Sequence, residues 1–276
     1  MTEPGAAARS RLRTTLIDLT LPMGPDMIQN HPMHPPSAFV FINQRHDLTQ
    51  HFFDRHWTGD LPPAMDGLPD SVRTPSYGHG WQTEHLLLGS HAGAHIDAAA
   101  HYDPESDQDA AKIPLEQCYG PAVLLDLWSV YAEKRAITAS DLDSAEERAS
   151  VRVGEGDIVL INTGHAAKYA YSAHPDRRAY TEDYPGFDHE APQWFIDRGI
   201  KLLGIDTVNP DLHPQASMHV NFLMRGQCGK PPILIVENLV HLEDIPVPRF
   251  TFIGFPLPIV GASGSPLRAV AVVESD

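Results

Sequence analysis

The sequence predicts an α/β domain built on a mixed β-sheet, with few helices crossing between its strands. Three observations support this class. Short apolar segments typical of buried strands recur along the chain, they outnumber the segments with helical periodicity, and the helical segments lie between them. The chain has 276 residues, which is enough to bury a sizeable core in one large domain or two small ones.

The strand candidates are short apolar runs bounded by turn residues. TLIDLT lies near the start of the chain, and EHLLLGS leads into a cluster of histidines. The remaining candidates are PAVLLDL (121–127), DIVLINTG (157–164), KLLGIDTV (201–208), PILIVENL (232–239), FTFIGF and RAVAVVE.

Two helices are predicted between these strands. The Thr138 hydroxyl can accept from the first-turn amides and so cap a helix running through SDLDSAEERA. A second helix begins at Asp188 or His189, runs through APQWFIDR with its aromatic residues at core spacing, and ends at Gly199.

The regular pattern is interrupted by one long irregular segment. We expect residues 1–14 to form a flexible tail and residues 15–276 to form a single domain, with 41–80 as an irregular insertion that acts as a lid. Disorder of this insertion is the alternative, but its aromatic side chains favour packing against something. The candidates for contact with a substrate are Phe52, Phe53 and Trp57.

Composition narrows the class of partner. The formal net charge of -16 and the pI of about 5.3 disfavour nucleic acid and anionic membrane surfaces. The two cysteines, Cys118 and Cys228, form neither a zinc-ribbon spacing nor a disulfide framework. We find no signal peptide and no apolar run of the roughly 18 residues that a membrane helix needs. These features predict a cytoplasmic protein that acts on a small molecule.

The segment HAGAHIDAAAH, from His91 to His101, carries the chemistry. If its first part is extended, side chains alternate between two faces. His91, His95 and Asp97 then share one face around Gly93, which leaves room for an ion or a substrate. The small apolar residues between them share the other face, as expected of a strand packed on a core.

Two imidazoles and one carboxylate suit a divalent cation such as zinc or manganese. Three protein ligands leave positions open for water, whose pKa an open metal site can lower toward 7. His101 follows Asp97 by four residues and is either a further ligand or a general acid–base, because the unperturbed pKa of imidazole lies near neutrality.

Two further residues are candidates for the same site. Glu237 lies inside the apolar run ILIVENL, where a carboxylate is costly unless it is paired or bound to a metal. His219 lies in SMHVNFL. The alternatives are a salt bridge at a strand end for Glu237 and an ordinary partly buried histidine for His219.

The motif resembles the H-x-G-T-H-x-D-x-P-x-H signature of the metal-dependent cyclase-like hydrolase family, which contains bacterial kynurenine formamidase and isatin hydrolase. The resemblance covers most of residues 15–40 and 83–273. The segments that look like family segments are LIDLTLPM, IPLEQCYGPAVLLDL, GDIVLINTG, KLLGIDTVNPD, ILIVENL and FPLPIVGASGSPLRAVAVV.

The resemblance implies a swivelling β/β/α domain, assembled as a homodimer or homotetramer, with zinc as in the formamidases or manganese as in the isatin hydrolases. It implies that the metal is bound by His91, His95 and Asp97. It further implies that His101 donates and accepts the proton, and that His219 and Glu237 complete a second metal site or a surrounding shell.

The chain departs from the family pattern at three points. Ala94 replaces a threonine, Ala99 replaces a proline, and the N-terminal NHPMHP stretch lacks the tryptophan that contacts substrate in the kynurenine formamidases. The last departure counts against N-formylkynurenine as the substrate.

The leading hypothesis is hydrolysis of the C–N bond in a small, aryl formamide or cyclic amide. The alternatives are a cyclase, dehydratase or lactonase that uses the same metal site, and a metal- or ligand-binding protein without catalysis.

Overall fold

The computed structural model describes residues 13–24, 27–29, 38–43, 83–131 and 135–275 of the chain. The predicted tail over 1–14 and the predicted lid over 41–80 lie outside these residues, except for their ends at 13–14 and 41–43. The substrate-contact candidates Phe52, Phe53 and Trp57 also lie outside them, so their roles stay predictions.

The chain divides into two compact units. The larger unit contains residues 1–35 and 90–276, and the smaller contains residues 36–89. In the smaller unit, two antiparallel strands pair with each other, with a register shift between Val40 and Asn43. The predicted single domain over 15–276 stays a prediction.

The strands of the described residues are, in chain order, β1 (Arg13–Asp18), β2 (Ala38–Asn43), β3 (Thr83–Leu87), β4 (His95–Asp97), β5 (Tyr119–Asp126), β6 (Ala136–Ile137), β7 (Ile158–Asn162), β8 (Gly186–Phe187), β9 (Leu202–Ile205), β10 (Leu234–Glu237), β11 (Arg249–Ile253), β12 (Gly264–Pro266) and β13 (Val270–Ser275). The helices are α1 (Ala139–Ala149), α2 (His165–Tyr169), α3 (Arg177–Glu182), α4 (Ala191–Arg198) and α5 (Ser217–Leu223). Short 3₁₀ turns lie at Ala99–His101, Ala110–Lys112, Leu115–Gln117, Trp128–Val130, Met224–Cys228 and Leu242–Asp244.

Within the described part of the larger unit, nine strands form one sheet in the order β1-β13-β11-β5-β7-β9-β10-β4-β12. The four central strands, β5, β7, β9 and β10, run parallel, and the strands on either side of them pair antiparallel. The parallel strands are almost continuously apolar because both faces of the sheet are covered, and every residue of β7 is buried. The predicted α/β class with a mixed sheet and few helices is therefore confirmed.

The two predicted helices are also confirmed. Thr138 and Asp141 form a reciprocal capping box at the start of α1. Gly199 ends α4 with a φ of 70°, a left-handed conformation that glycine adopts without steric cost. Among the described residues, no helix is long and apolar enough to cross a bilayer.

The hydrophobic core fixes the strands that carry the candidate site. One face of the sheet packs against α1, α4 and α5, whose buried side chains include Leu142, Phe195 and Phe222. On the other face, Ile96 of β4 and Val236 of β10 belong to a second buried cluster and are opposite each other in the antiparallel pair. A shift of one residue would move these apolar side chains out of the core, so their burial fixes the register between β4 and β10.

Candidate metal centre and active site

The register between β4 and β10 brings the first two site residues together. His95 and Glu237 are direct cross-strand partners, so their side chains project from the same face at close range. The His95 Nε2 nitrogen lies 3.3 Å from Glu237 Oε2, and both side chains are buried. The pairing of β4 with β10 thus brings together two residues that are more than a hundred positions apart in the chain.

His91 reaches the same place by a turn rather than by a strand. The predicted extended alternation from His91 to Asp97 is wrong for its first half, because Gly93 has a φ of 64° and the segment turns before β4 begins at His95. The turn returns the imidazole of His91 toward β4, and its Nδ1 lies 2.8 Å from Asp97 Oδ1. His91, His95 and Asp97 therefore meet as predicted, although His91 gets there by a different backbone path.

Close packing around His91 requires a glycine on the neighbouring strand. A Cβ atom at Gly264 of β12 would lie 2.6 Å from His91 Cε1 and 2.8 Å from the Ile96 carbonyl oxygen. The next residue back in the chain, Ser263, places its Oγ 2.9 Å from His91 Nε2. The imidazole is thus held between Asp97 on one side and Ser263 on the other.

His101 lies on the 3₁₀ turn that follows β4 and is less buried than the other site residues. Its ring centroid is 4.2 Å from that of His91 and 5.8 Å from that of His219. Burial lowers the pKa of His101 below its ordinary value, which leaves the imidazole neutral near pH 7. A neutral imidazole at the edge of the cluster is able to accept a proton.

His219 enters the site from α5 and is oriented by Asp211. Its Nδ1 donates to Asp211 Oδ2 over 2.6 Å, while its Nε2 lies 3.3 Å from Asp97 Oδ2 and 3.4 Å from Glu237 Oε1. Asp211 is buried and also accepts from the backbone amide of Met218 over 2.7 Å. The same carboxylate therefore starts the helix and fixes the ring.

His95 is oriented in a similar way by a backbone carbonyl. Its Nδ1 donates to the Gly93 oxygen over 2.9 Å, and the same oxygen accepts from Asn238 Nδ2 over 3.0 Å. Asn238 in turn accepts from the Tyr180 hydroxyl over 2.8 Å. A carbonyl can only accept, so the neutral His95 ring carries its proton on Nδ1 and turns the Nε2 lone pair toward the carboxylates.

The structure brings into one cluster the six residues that were predicted as metal ligands or as the catalytic histidine. The members are His91, His95, Asp97, His101, His219 and Glu237. Among the described residues, two sets of side chains have ligand atoms that all lie within 4.8 Å of one another. One set is His91, Asp97 and His101, the other is His95, Asp97 and Glu237, and Asp97 belongs to both.

The cluster favours positive charge. Burial alone would lower the pKa of His95, but Asp97 and Glu237 outweigh it and raise that pKa to about 10. Burial would likewise raise the pKa of Asp97, but interactions with His219, His91 and His95 hold it well below the ordinary value. Two buried carboxylates kept ionised in this way attract protons to the imidazoles, and would attract a cation more strongly.

One oxygen of this cluster accepts no hydrogen bond within the described residues, although His219 Nε2 lies 3.3 Å from it. Asp97 Oδ2 is fully buried and accepts no hydrogen bond, although the rest of the carboxylate does. A buried carboxylate oxygen without a donor is costly and calls for an explanation. A cation bound by Asp97 and the surrounding imidazoles would satisfy it, so the donor set fits a divalent metal.

The sequence analysis missed the residues that orient the ligands. Asp211 lies within the quoted segment KLLGIDTVNPD, and Asn238 directly follows Glu237, yet neither has a spacing that points to the cluster. Asn238 has a positive φ of 62°, a conformation that asparagine tolerates better than most residues, but the sequence gives no indication of it.

Comparison with known proteins gives the class. Residues 17–212 match the family model described as "Putative cyclase". Kynurenine formamidase from Maricaulis maris is 31% identical over 218 residues, which cover 78% of this chain and 90% of that protein. Kynurenine formamidase from Bordetella pertussis is 28% identical over 185 residues, which cover 67% of this chain and 78% of that protein. Isatin hydrolase A from Ralstonia solanacearum has a similar structure, with a TM-score of 0.68, 25% identity, and coverage of 94% of this chain and 92% of that one.

The chain belongs to the cyclase family. The predicted family and the prediction that the chain is an amidohydrolase enzyme are thereby confirmed. The amide that it cleaves, the metal, the roles of the six residues, the cytoplasmic location and the homo-oligomeric state stay predictions.

Proposed function

We propose that this protein is a metal-dependent hydrolase of the C–N bond in a small aryl formamide or cyclic amide. The relatives named kynurenine formamidase and isatin hydrolase support the amide, and the buried cluster supports the metal. The observation that carries the proposal is the buried carboxylate of Asp97. Its Oδ2 accepts no hydrogen bond, although the imidazoles of His91, His95 and His219 lie within 3.4 Å of one or the other of its two oxygens.

The residues that would hold a zinc or manganese ion are His91, His95 and Asp97, with His219 and Glu237 completing the set. Asp97 belongs to both close groups of ligand atoms, so it would be a ligand whether the cluster holds one cation or two. The bound cation would polarise the amide carbonyl and acidify a water molecule.

The protein groups around the cation have separate tasks in this proposal. His101 takes a proton from the attacking water at its ring nitrogen and delivers it to the leaving nitrogen, which its lowered pKa allows. Asp211 and the Gly93 carbonyl hold the rings of His219 and His95 by their Nδ1 atoms. Gly264 leaves the space that the ring of His91 occupies.

Metal analysis and a substrate panel test the proposal together. Protein purified without added metal is analysed for bound transition metals, then assayed with formanilide, N-formylkynurenine and isatin before and after treatment with a strong chelator. We expect bound metal at a stoichiometry of one or more per chain, turnover of at least one amide, and loss of that turnover in chelator. Full activity in chelator would refute the metal dependence.

The family description "Putative cyclase" keeps one alternative chemistry open: ring closure, water loss or lactone opening at the same metal site. The same panel, extended with lactones and hydroxy acids, separates the two. Release of an amine and a carboxylate from an amide supports our proposal, whereas water loss or ring closure without amide cleavage supports the alternative.

A further inference from the structure

A cavity of about 660 Å³ lies beside the metal centre within the larger unit. Its volume is in the range that holds a small organic ligand. The cavity is formed by the turn after β4, the end of α3 and the loop that leads into α5. Its described lining residues are Tyr102, Thr181, Glu182, Tyr184, Asn209, Leu212, His213, Pro214, Gln215 and Ala216.

The wall nearest the metal centre is aromatic. The ring of Tyr102 stacks on the ring of His219, with 4.6 Å between centroids and 26° between planes. The same ring meets His101 edge-on at 5.2 Å. Tyr102 therefore contacts both a proposed metal ligand and the proposed proton carrier, and also lines the cavity.

Tyr184 provides a second aromatic surface. It is 8% exposed, and burial raises the pKa of its hydroxyl to about 12, with a further contribution from the charge of Glu237. The lining of the cavity thus combines the aromatic rings of Tyr102 and Tyr184 with the apolar side chains of Leu212 and Pro214. Planar aromatic groups pack well on such surfaces.

Among the residues that the structure describes, the lining contains neither lysine nor arginine, and its one imidazole, that of His213, is exposed. Its one carboxylate, Glu182, is paired with Arg178 over 2.9 Å. The net charge of the whole chain, -16, adds a field that repels anions. A carboxylate carried into this cavity would lose water without gaining the counter-charge of a lysine or an arginine from these residues.

We propose that this cavity binds the aryl group of the substrate between Tyr102 and Tyr184, and that it selects uncharged aromatic amides over those with a carboxylate on the ring. The inference rests on the proposed function for the direction of the scissile bond, with the amide toward His101 and the ring in the cavity. It names the substrate class more narrowly than the relatives do.

The first test compares two amides that differ only in charge, with metal-loaded enzyme. We expect kcat/KM for formanilide to exceed that for 4-formamidobenzoate by about tenfold, with most of the difference in KM. The para position keeps the added carboxylate away from the metal. Equal values, or a preference for the acid, would overturn the charge selectivity.

The second test places a cation in the lining. Gln215 is exposed at the rim, so Gln215→Lys should shift the ratio about threefold toward 4-formamidobenzoate, the range of an exposed ion pair. Gln215→Met, of similar size and without charge, should leave the ratio unchanged. Identical ratios in the two variants would overturn the assignment of the cavity.

The third test does not depend on turnover. Binding of acetanilide to the full chain is followed by saturation-transfer NMR, and Leu212→Trp is made to fill the cavity, with metal content and circular dichroism as checks on the fold. Binding that disappears in this variant supports the cavity, even if no amide is cleaved and the proposed function fails. Normal amide turnover with unchanged acetanilide binding in Leu212→Trp would overturn the cavity and leave the proposed function standing.

Discussion

Replacing Asp211 by asparagine should weaken metal binding because the two carboxylate oxygens have different tasks. Oδ1 accepts from Met218 N over 2.7 Å and from Ser217 Oγ over 3.2 Å, whereas Oδ2 accepts from the ring of His219 over 2.6 Å and from the backbone amide of His219 over 3.3 Å. An amide has one accepting oxygen and one donating nitrogen. If the oxygen keeps the helix start, the NH₂ group faces His219 Nδ1, and the imidazole must move its proton to Nε2.

That tautomer removes the lone pair that faces Asp97 and Glu237. Changing the group that orients a metal-bound histidine typically reduces metal affinity about 10- to 100-fold, and a hydrogen bond to a charged group contributes about 1.5–3 kcal/mol. With Asp211 only 1% exposed, water cannot replace the lost partner. We therefore expect a loss in affinity near the upper end of the range of about 10- to 100-fold.

The assay is a competition titration of zinc and of manganese against a chromophoric chelator, with thermal unfolding of the metal-free protein measured in parallel. Asp176→Asn is the matched control, because Asp176 Oδ1 caps α3 through Ala179 N over 3.0 Å without touching an imidazole. Both substitutions replace a carboxylate at a helix start by an amide whose oxygen can still accept, but only Asp211→Asn should lose metal affinity. An affinity within threefold of the wild type, or an equal loss in the control, would refute the tautomer argument.

Three other outcomes are expected. His101→Asn should retain metal while amide turnover falls about 10²- to 10⁴-fold, the usual contribution of a general acid–base, and loss of the metal along with turnover would instead make His101 a ligand. In metal-free protein, the raised pKa of His95 stabilises the fold fully below about 6.5, and this contribution is lost as the pH rises toward about 10. Thermal unfolding should show that decline in wild type and a shallower one in His95→Gln; parallel curves would contradict it. Gly264→Ala should destabilise the protein by about 1–3 kcal/mol through its clash with His91, and should weaken metal binding in the same titration. Unchanged unfolding and metal affinity would show that β12 can shift to accommodate the methyl group.

Local sequence features predict the sheet well because each parallel strand is specified by its own residues. A run such as DIVLINTG is apolar throughout, and β7 is buried on both faces as that run requires. The capping residue Thr138 and the terminating Gly199 act within one helical turn, so their effects can be deduced from neighbours in the chain.

The site is only partly predictable, because it depends on contacts between residues that are far apart in the chain. The grouping of His95 with Asp97 follows from strand alternation, but the turn at Gly93 depends on a backbone conformation that the alternation rule does not anticipate. The contact of Asp211 with His219 depends on where α5 begins, and that helix has no local start signal other than Asp211 itself. Tertiary packing determines both the turn at Gly93 and the contact of Asp211 with His219, and it cannot be deduced from local patterns in a single sequence.

Two of the candidate ligands, His95 and Asp97, lie close to one edge of the sheet. His95 and Asp97 form two of the three residues of β4, and β12, also of three residues, is the sheet edge beyond it. Strands this short form few backbone hydrogen bonds, so β4 and β12 are held only weakly by pairing alone. A cation bound by residues of both β4 and β10 would stabilise the attachment of these two edge strands to the parallel strands. The fraction of protein with bound metal would then determine how often β4 and β12 separate locally from the sheet, so that the active site would stay intact only while metal is bound.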